Sequence, residues 1–230
     1  MVDKRKKYII VLDTETCPLD RTLEQVTPSN MFVYDVGFAV VDKKGTVYET
    51  HSYVVADIFF HEKTLMESAY YADKLPQYYA DIKSGKRKVA TFATIKQILS
   101  EVMEKYNTNV ICAHNARFDK GATDNTQRWL TKSKSRYFYP YGAELWDSLK
   151  MAHDVIAPMP TYKKFCEENG YMTAHKKPRP QEKAETLYRF ITGDKDFEES
   201  HTGLEDVMIE KEILAYCFRQ HKKMRKLLYG

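Results

Sequence analysis

Cysteine is scarce and scattered. The 230 residues hold four, Cys17, Cys112, Cys166 and Cys217, with no Cys-x-x-Cys pair among them. That spacing argues against a thiolate zinc site and against a disulfide framework, and dispersed thiols suit a reducing, cytoplasmic compartment. Long apolar runs are missing as well. After a basic N-terminus only Tyr8-Ile9-Ile10-Val11-Leu12 precedes Asp13. This stretch falls far short of the roughly 20 residues of a membrane span, and it is too short for the apolar part of a signal peptide. With nine glycines and eight prolines in no regular period, the chain is neither collagen-like nor low in complexity. Nor is there a large excess of one charge. The net +4 is too mild to establish a polyanionic partner, and the clusters Lys86-Arg87-Lys88 and Arg219 to Lys226 read as solvated surface. What remains is an ordinary globular composition, 43% apolar and 30% charged, long enough to bury a core without staples.

Patterning then supplies the elements. Tyr8 to Leu12 reads as a strand buried on both faces, followed by a polar loop containing Pro18 and Pro28. Phe32 to Val41 and Thr46 to Val55 are strand patterns joined by Asp42-Lys43-Lys44-Gly45, whose glycine is free to take a positive φ. The Tyr-rich segment Ala56 to Lys88 predicts one or two short helices and a mobile basic turn, Ser84 to Lys88. Apolar residues at helical spacing mark Thr91 to Tyr106. A strand over Asn109 to Ala113, a helix over Arg117 to Leu130, a strand at Glu144 to Trp146 and a helix over Asp147 to Val155 follow. Pro178 and Pro180 make Ala174 to Pro180 an irregular basic loop. Helices over Glu182 to Ile191 and Thr202 to Arg219 close the chain. This order predicts a single α/β domain over 1–230, with a mixed five-stranded sheet, flanking helices and basic terminal extensions.

Three acidic segments break the apolar rule. Asp13 and Glu15 stand directly after the buried strand, and residues two apart on a strand share a face. Two carboxylates held together repel unless a cation sits between them, and Mg²⁺ or Mn²⁺ suits such oxygen ligands. Spacing alone does not decide this, because Asp196-Phe197-Glu198 repeats the pattern in an acidic loop, and two solvated carboxylates at a strand end remain an alternative. Asp119 opens the helix that follows the strand Asn109 to Ala113, so it belongs near a strand's C-terminal edge, where sites gather in open α/β sheets. A helix-start aspartate favoured by the macrodipole is the other reading. Last comes His201-Thr202-Gly203-Leu204-Glu205-Asp206. Five helical residues rotate by about 500°, so His201 and Asp206 converge only if the histidine sits on the preceding loop. A lone histidine is otherwise structural or solvated.

In this order the segments resemble the DnaQ-like (DEDDh) 3′→5′ exonuclease family, which includes proofreading subunits, oligoribonuclease and RNase T. The resemblance rests on Asp13-Thr14-Glu15-Thr16, on His114-Asn115-Ala116-Arg117-Phe118-Asp119, and on His201 with Asp206. Weaker matches at Tyr34 to Asp42 and Trp146 to Ala152 extend it over roughly residues 8 to 218, the expected core. In style it is most similar to small stand-alone bacterial and phage exonucleases. It implies an RNase H-like fold, with Asp13, Glu15, Asp119 and Asp206 holding two divalent cations, Mg²⁺ or Mn²⁺, and His201 as general base. It further implies hydrolysis of single-stranded nucleic acid from its 3′ end, DNA favoured over RNA, to nucleoside 5′-monophosphates. Candidate substrate contacts are Thr14, Thr16, Asn115 and Phe118 within the motifs, although Phe118 reads more readily as packing beneath Asp119. Lys176, Lys177 and Arg179 of the proline-stiffened loop are candidates for phosphate contacts. A polymerase is a candidate partner; a membrane is not. Leu204-Glu205 departs harmlessly from the family's commoner residues before Asp206, and Ala56 to Lys88 does not align with the family pattern. Two other readings stay open. A catalytically weak binding or polymerase-tethering module has little reason to keep four carboxylates and His201, and an RNase H-type endonuclease does not explain a histidine five residues before Asp206.

Overall fold

The structure, a computed structural model, describes residues 2–3, 5–18, 27–67, 69, 72–132, 134 and 136–229. Positions 19–26 of the loop expected after the first strand lie outside the described residues, as do positions 1 and 4 of the basic N-terminus. Among the described residues a sheet of six strands forms: β1 (Ile9–Pro18), β2 (Met31–Val41), β3 (Val47–Val55), β4 (Lys88–Ala90), β5 (Val110–Ala113) and β6 (Glu144–Asp147). Their order is β4-β3-β2-β1-β5-β6. β1, β2 and β3 run antiparallel in sequence, whereas β5 lies parallel to β1, β6 parallel to β5 and β4 parallel to β3. The sheet is therefore mixed, as expected, but has six strands where five were predicted. The extra one, β4, is three residues long and sits at the sheet edge with two exposed positions, so it carries no strand periodicity.

Helices cover both faces: α1 (Ala56–Phe59), α2 (Lys63–Met66), α3 (Leu75–Ser84), α4 (Phe92–Lys105), α5 (Ala116–Leu130), α6 (Ser148–Val155), α7 (Pro160–Glu168), α8 (Ala184–Thr192) and α9 (Gly203–Arg219). Alternation along β1 divides the core. Ile10 and Leu12 pack with Phe38, Val40 and the buried stripe Phe92, Ile95, Leu99 and Val102 of α4. Each of these α4 side chains contributes about 2 kcal/mol by leaving water. Ile9 and Val11 face the other way, onto Met151 and Val155 of α6 and Ile209, Ile213 and Leu214 of α9. β1 thus needs apolar residues on both faces, which is why its sequence reads as an unbroken run. The same alternation carries Asp13 and Glu15 onto the α9 side.

Two further expectations are corrected. β1 does not end at Leu12 but continues to Pro18, so Asp13 and Glu15 lie within the strand and not after it. The basic turn before β4 is not wholly solvated: Ser84, Gly85, Lys86 and Lys88 are exposed, but Arg87 is only 2% exposed and is held by charged partners on three elements. α7 was not anticipated; Pro160 opens it, and Tyr162 and Cys166, four apart, turn inward.

Candidate active site

At the C-terminal end of β5 and the start of α9, elements remote in sequence converge. α9 begins against β2 because two glycines allow it. A Cβ at Gly37 would lie 2.2 Å from the backbone carbon of Gly203, and the Gly203 N–H donates to Asp35 Oδ2 at 3.1 Å. Asp35, fully buried, also accepts from Tyr78 Oη at 2.6 Å and from Arg87 Nη1 at 2.9 Å. Arg87 reaches on to Glu205 at 2.7 Å, Ser52 at 3.1 Å and Asp81 at 3.2 Å. The guanidinium therefore pins the first turn of α9 to the sheet, one residue before Asp206.

That anchoring fixes Asp206, which also accepts the Thr202 backbone N–H at 3.1 Å. One ligand-capable oxygen each from Asp13, Glu15 and Asp206 lies within 4.8 Å of the others. His201, on the loop before α9 with a left-handed φ of 50°, forms a second such group with Asp206 and Glu199. His201 therefore occupies the loop position that the rotation argument required. The Nδ1 atom of His201 lies 3.8 Å from Glu199 Oε2. Asp119, in the first turn of α5, is oriented by the Thr14 hydroxyl, which donates to its Oδ1 at 2.8 Å. A cavity of about 430 Å³ is lined by all four carboxylates and His201, together with Thr14, Asn115 and Phe118.

The electrostatics of this cavity are those of crowded acids. Burial, then the charges of Glu210, Asp119, Glu15 and Asp206, push the Asp13 carboxyl well above its ordinary range. Burial and the neighbouring Asp206 do the same to Glu15. Burial raises Asp119 to about 7 against the hydrogen bond from Thr14. Burial and the Glu199 charge raise Asp206 to about 8. His201 is lowered by burial and by the nearby Lys74, whose ammonium donates to the Ser200 carbonyl, so the ring is neutral near pH 7. An all-oxygen donor set that holds excess protons when alone fits a hard divalent cation, which would replace those protons.

The expected residues do not all converge. Thr16 lies beyond a bulge after Glu15 and does not line the cavity. Lys176, Lys177 and Arg179 also stand apart from it, on an exposed loop closed by a Met172–Pro180 bridge and a Thr173 N–H to Arg179 carbonyl bond of 2.8 Å. Phe118 is half-buried; it packs against the core and also lines the cavity.

Five lining residues were not among the candidate site residues: His114, although it opens the second motif, and Lys183, Ala184, Glu199 and Glu210. His114 ties the loop before α5 to two other segments, through Nε2 to the Glu182 carbonyl at 2.8 Å and Nδ1 to Ser148 Oγ at 3.0 Å. With a carbonyl at one nitrogen and a hydroxyl at the other, and with burial lowering its pKa, the ring is a neutral strut. Glu210 could have been found by its spacing of four from Asp206, which puts both on one helical face.

No protein-family model matches the chain, and no curated protein matches it in sequence. Solved structures do. A full-length 3′-exonuclease superposes with a TM-score of 0.56 at 12% identity, over 96% of this chain and 85% of that one. The nuclease domain of 3′hExo, a DEDDh family member bound to rAMP, gives 0.54 at 14% identity, over 98% of each chain. Escherichia coli exonuclease I in complex with a 5cy-dT13 oligonucleotide gives 0.54 at 14% identity; the match covers 94% of this chain but 41% of that one. The chain has the RNase H-like fold of the DEDDh 3′-exonucleases.

Proposed function

We propose that this chain, acting as one domain over 1–230, is a metal-dependent 3′→5′ exonuclease of the DEDDh type, hydrolysing single-stranded nucleic acid to nucleoside 5′-monophosphates. The observation that carries the reading is the convergence of Asp13, Glu15, Asp119, Asp206 and His201, from β1, α5, α9 and the loop before α9, on one cavity. DNA ranks ahead of RNA as the first substrate to test, because the exonuclease I likeness is to a complex with a dT13 oligonucleotide. The 3′hExo domain was solved with a ribonucleotide, so RNA belongs in the same assay.

The four carboxylates would hold two divalent cations, Mg²⁺ or Mn²⁺, which when bound supply activation of the attacking water and neutralisation of the departing 3′ oxygen. The protein's own residues have separable tasks. His201, neutral near pH 7, accepts the proton of the attacking water, and Glu199 beside Nδ1 balances the positive ring that results. Asn115 and Phe118 meet the terminal nucleotide, and Lys183 offers a cation to its phosphate. Thr14 holds Asp119 in place by donating its hydroxyl to that carboxylate, and it lines the cavity where a substrate would lie.

The test uses metal-stripped protein with linear single-stranded DNA and RNA, and an Asp206→Asn preparation as the control for contaminating nucleases. Cleavage should be absent in chelator and restored by Mg²⁺ or Mn²⁺, with 5′-monophosphates identified by mass. Full activity of the metal-stripped protein, or of Asp206→Asn, would reject the reading.

A further inference from the structure

Glu210 takes no part in the four-carboxylate reading, yet it is placed as a member of the site. It stands on α9 one turn beyond Asp206 and is 4% exposed, on a helix whose neighbouring Ile209, Ile213 and Leu214 enter the core. The nearby His114 backbone N–H favours its charged form, against the effect of burial. Its oxygen Oε2 is buried and has no hydrogen-bond partner, and the side chain lines the same cavity as Asp13, Asp119 and Asp206. Of the charges acting on Asp13, that of Glu210 is the largest, ahead of those of Asp119, Glu15 and Asp206.

A carboxylate oxygen buried without a donor is unfavourable by several kcal/mol when it is left so. A purely structural acid would have no reason to keep that oxygen bare, and Gln at the same position would accept the His114 N–H equally well. Placing a cation beside Oε2 removes the conflict.

We infer that Glu210 is a fifth oxygen donor of the cation centre, serving the side of the cavity shared by Asp13 and Asp119. The inference rests on the proposed metal-dependent reading and adds a donor that the four-residue pattern lacks. It also gives His114 a purpose: the same carboxylate that faces the cations holds the loop from which α5 presents Asp119. Cation binding and the placement of Asp119 are thereby linked through one side chain.

Glu210→Gln separates the two roles, because it keeps the size and the acceptor for His114 and removes only the charge. The readouts are Mn²⁺ titration calorimetry without nucleic acid, and the thermal midpoint of metal-free and Mn²⁺-saturated protein. Mn²⁺ affinity should fall by roughly 10–100-fold, as for loss of a supporting ligand. The metal-free midpoint should hold or rise, since one repelling charge has gone, while the Mn²⁺-induced gain shrinks. Equal Mn²⁺ affinity and equal thermal gain in wild type and Glu210→Gln would overturn the inference and leave the metal-dependent reading standing. A wild type that takes up no Mn²⁺ would overturn both. Should Glu210→Gln not fold, Glu210→Asp carries the test, since it keeps the charge but retracts it by one methylene. Unchanged Mn²⁺ affinity in Glu210→Asp would then reject Glu210 as a donor, and weakened affinity would support it.

Discussion

Replacing Arg87 by Met should be among the most destabilising single changes in the chain. The Arg87 side chain is 1% exposed and its fork is shared by Asp35, Glu205, Asp81 and Ser52, with the Tyr78 ring 4.8 Å beneath the guanidinium. Met keeps much of the packing and removes every charged bond. Asp35, wholly buried with its Oδ1 already unpartnered, would be left with only the Tyr78 hydroxyl and the Gly203 N–H. Breaking a buried pair in this way costs about 3–5 kcal/mol. With a urea slope of about 3 kcal/mol/M, the midpoint should fall by roughly 1–1.7 M. Lys at the position retains the charge but loses the fork, so Arg87→Lys should fall in between. The decisive arm is the double variant Arg87→Met with Asp35→Leu. Most of the loss comes from stranding Asp35, so removing both partners should recover a large part of it. Nuclease activity should not recover, because Asp35 is what anchors Gly203 one turn before Asp206. A loss under about 1 kcal/mol for Arg87→Met, or strict additivity in the double variant, would refute the claim that this buried charge organises the start of α9.

The carboxylate cluster makes a second expectation. Folded-state pKa values raised above the unfolded ones contribute stability that is complete below the ordinary carboxylate range and lost as pH rises through the folded values, about 7 for Asp119 and about 8 for Asp206. Metal-free protein should therefore lose thermal stability between pH 4.5 and 8.5, and saturating Mn²⁺ should flatten the curve; a flat metal-free curve would contradict the crowding. His201→Asn should lower the rate by roughly 10²–10⁴ while Mn²⁺ still binds, and should abolish an acid limb that in wild type lies lower than for an ordinary histidine because burial and Lys74 disfavour the charged ring. Near-wild-type turnover would make His201 a loop residue only. Replacing Lys176, Lys177 and Arg179 together by Ala should reduce the salt slope of binding a long strand by about 2, at ~0.7 per phosphate contact on a single strand, and leave cleavage of a trinucleotide unchanged. An unaltered slope would return this loop to plain surface.

Much of this site was legible in the sequence because its signals are local. Asp13 and Glu15 interrupt a run that is otherwise apolar on both faces, and the register of a strand fixes their common side. The rotation of a helix forces His201 off α9 if it is to meet Asp206, and the structure bends the chain at His201 to do so. The sheet was legible wherever strands are long or apolar. β4 was not, since three residues at an exposed edge carry no alternation. Arg87 and Glu210 show why the remainder stayed hidden. Each is a charged residue in a context that usually faces water, a basic turn and a helix with further charges. Whether such a residue is buried depends on partners far off in the chain: Asp35 and Glu205 for Arg87, the His114 backbone for Glu210. Lys183 was passed over for the denser cluster at Lys176 to Arg179, although Lys183 lines the cavity and that cluster does not. Cation density along the sequence is a poor guide to which cation the fold turns inward.

Attack at a free 3′ terminus by this carboxylate centre can be followed in one time course: a linear single strand labelled at its 5′ end, and a covalently closed circle of the same sequence, each incubated with wild-type protein and Mn²⁺. The linear strand should shorten in single-nucleotide steps while retaining its label, and the circle should survive intact. Release of the 5′ label as a mononucleotide at the outset, or cutting of the circle at a comparable rate, would contradict it.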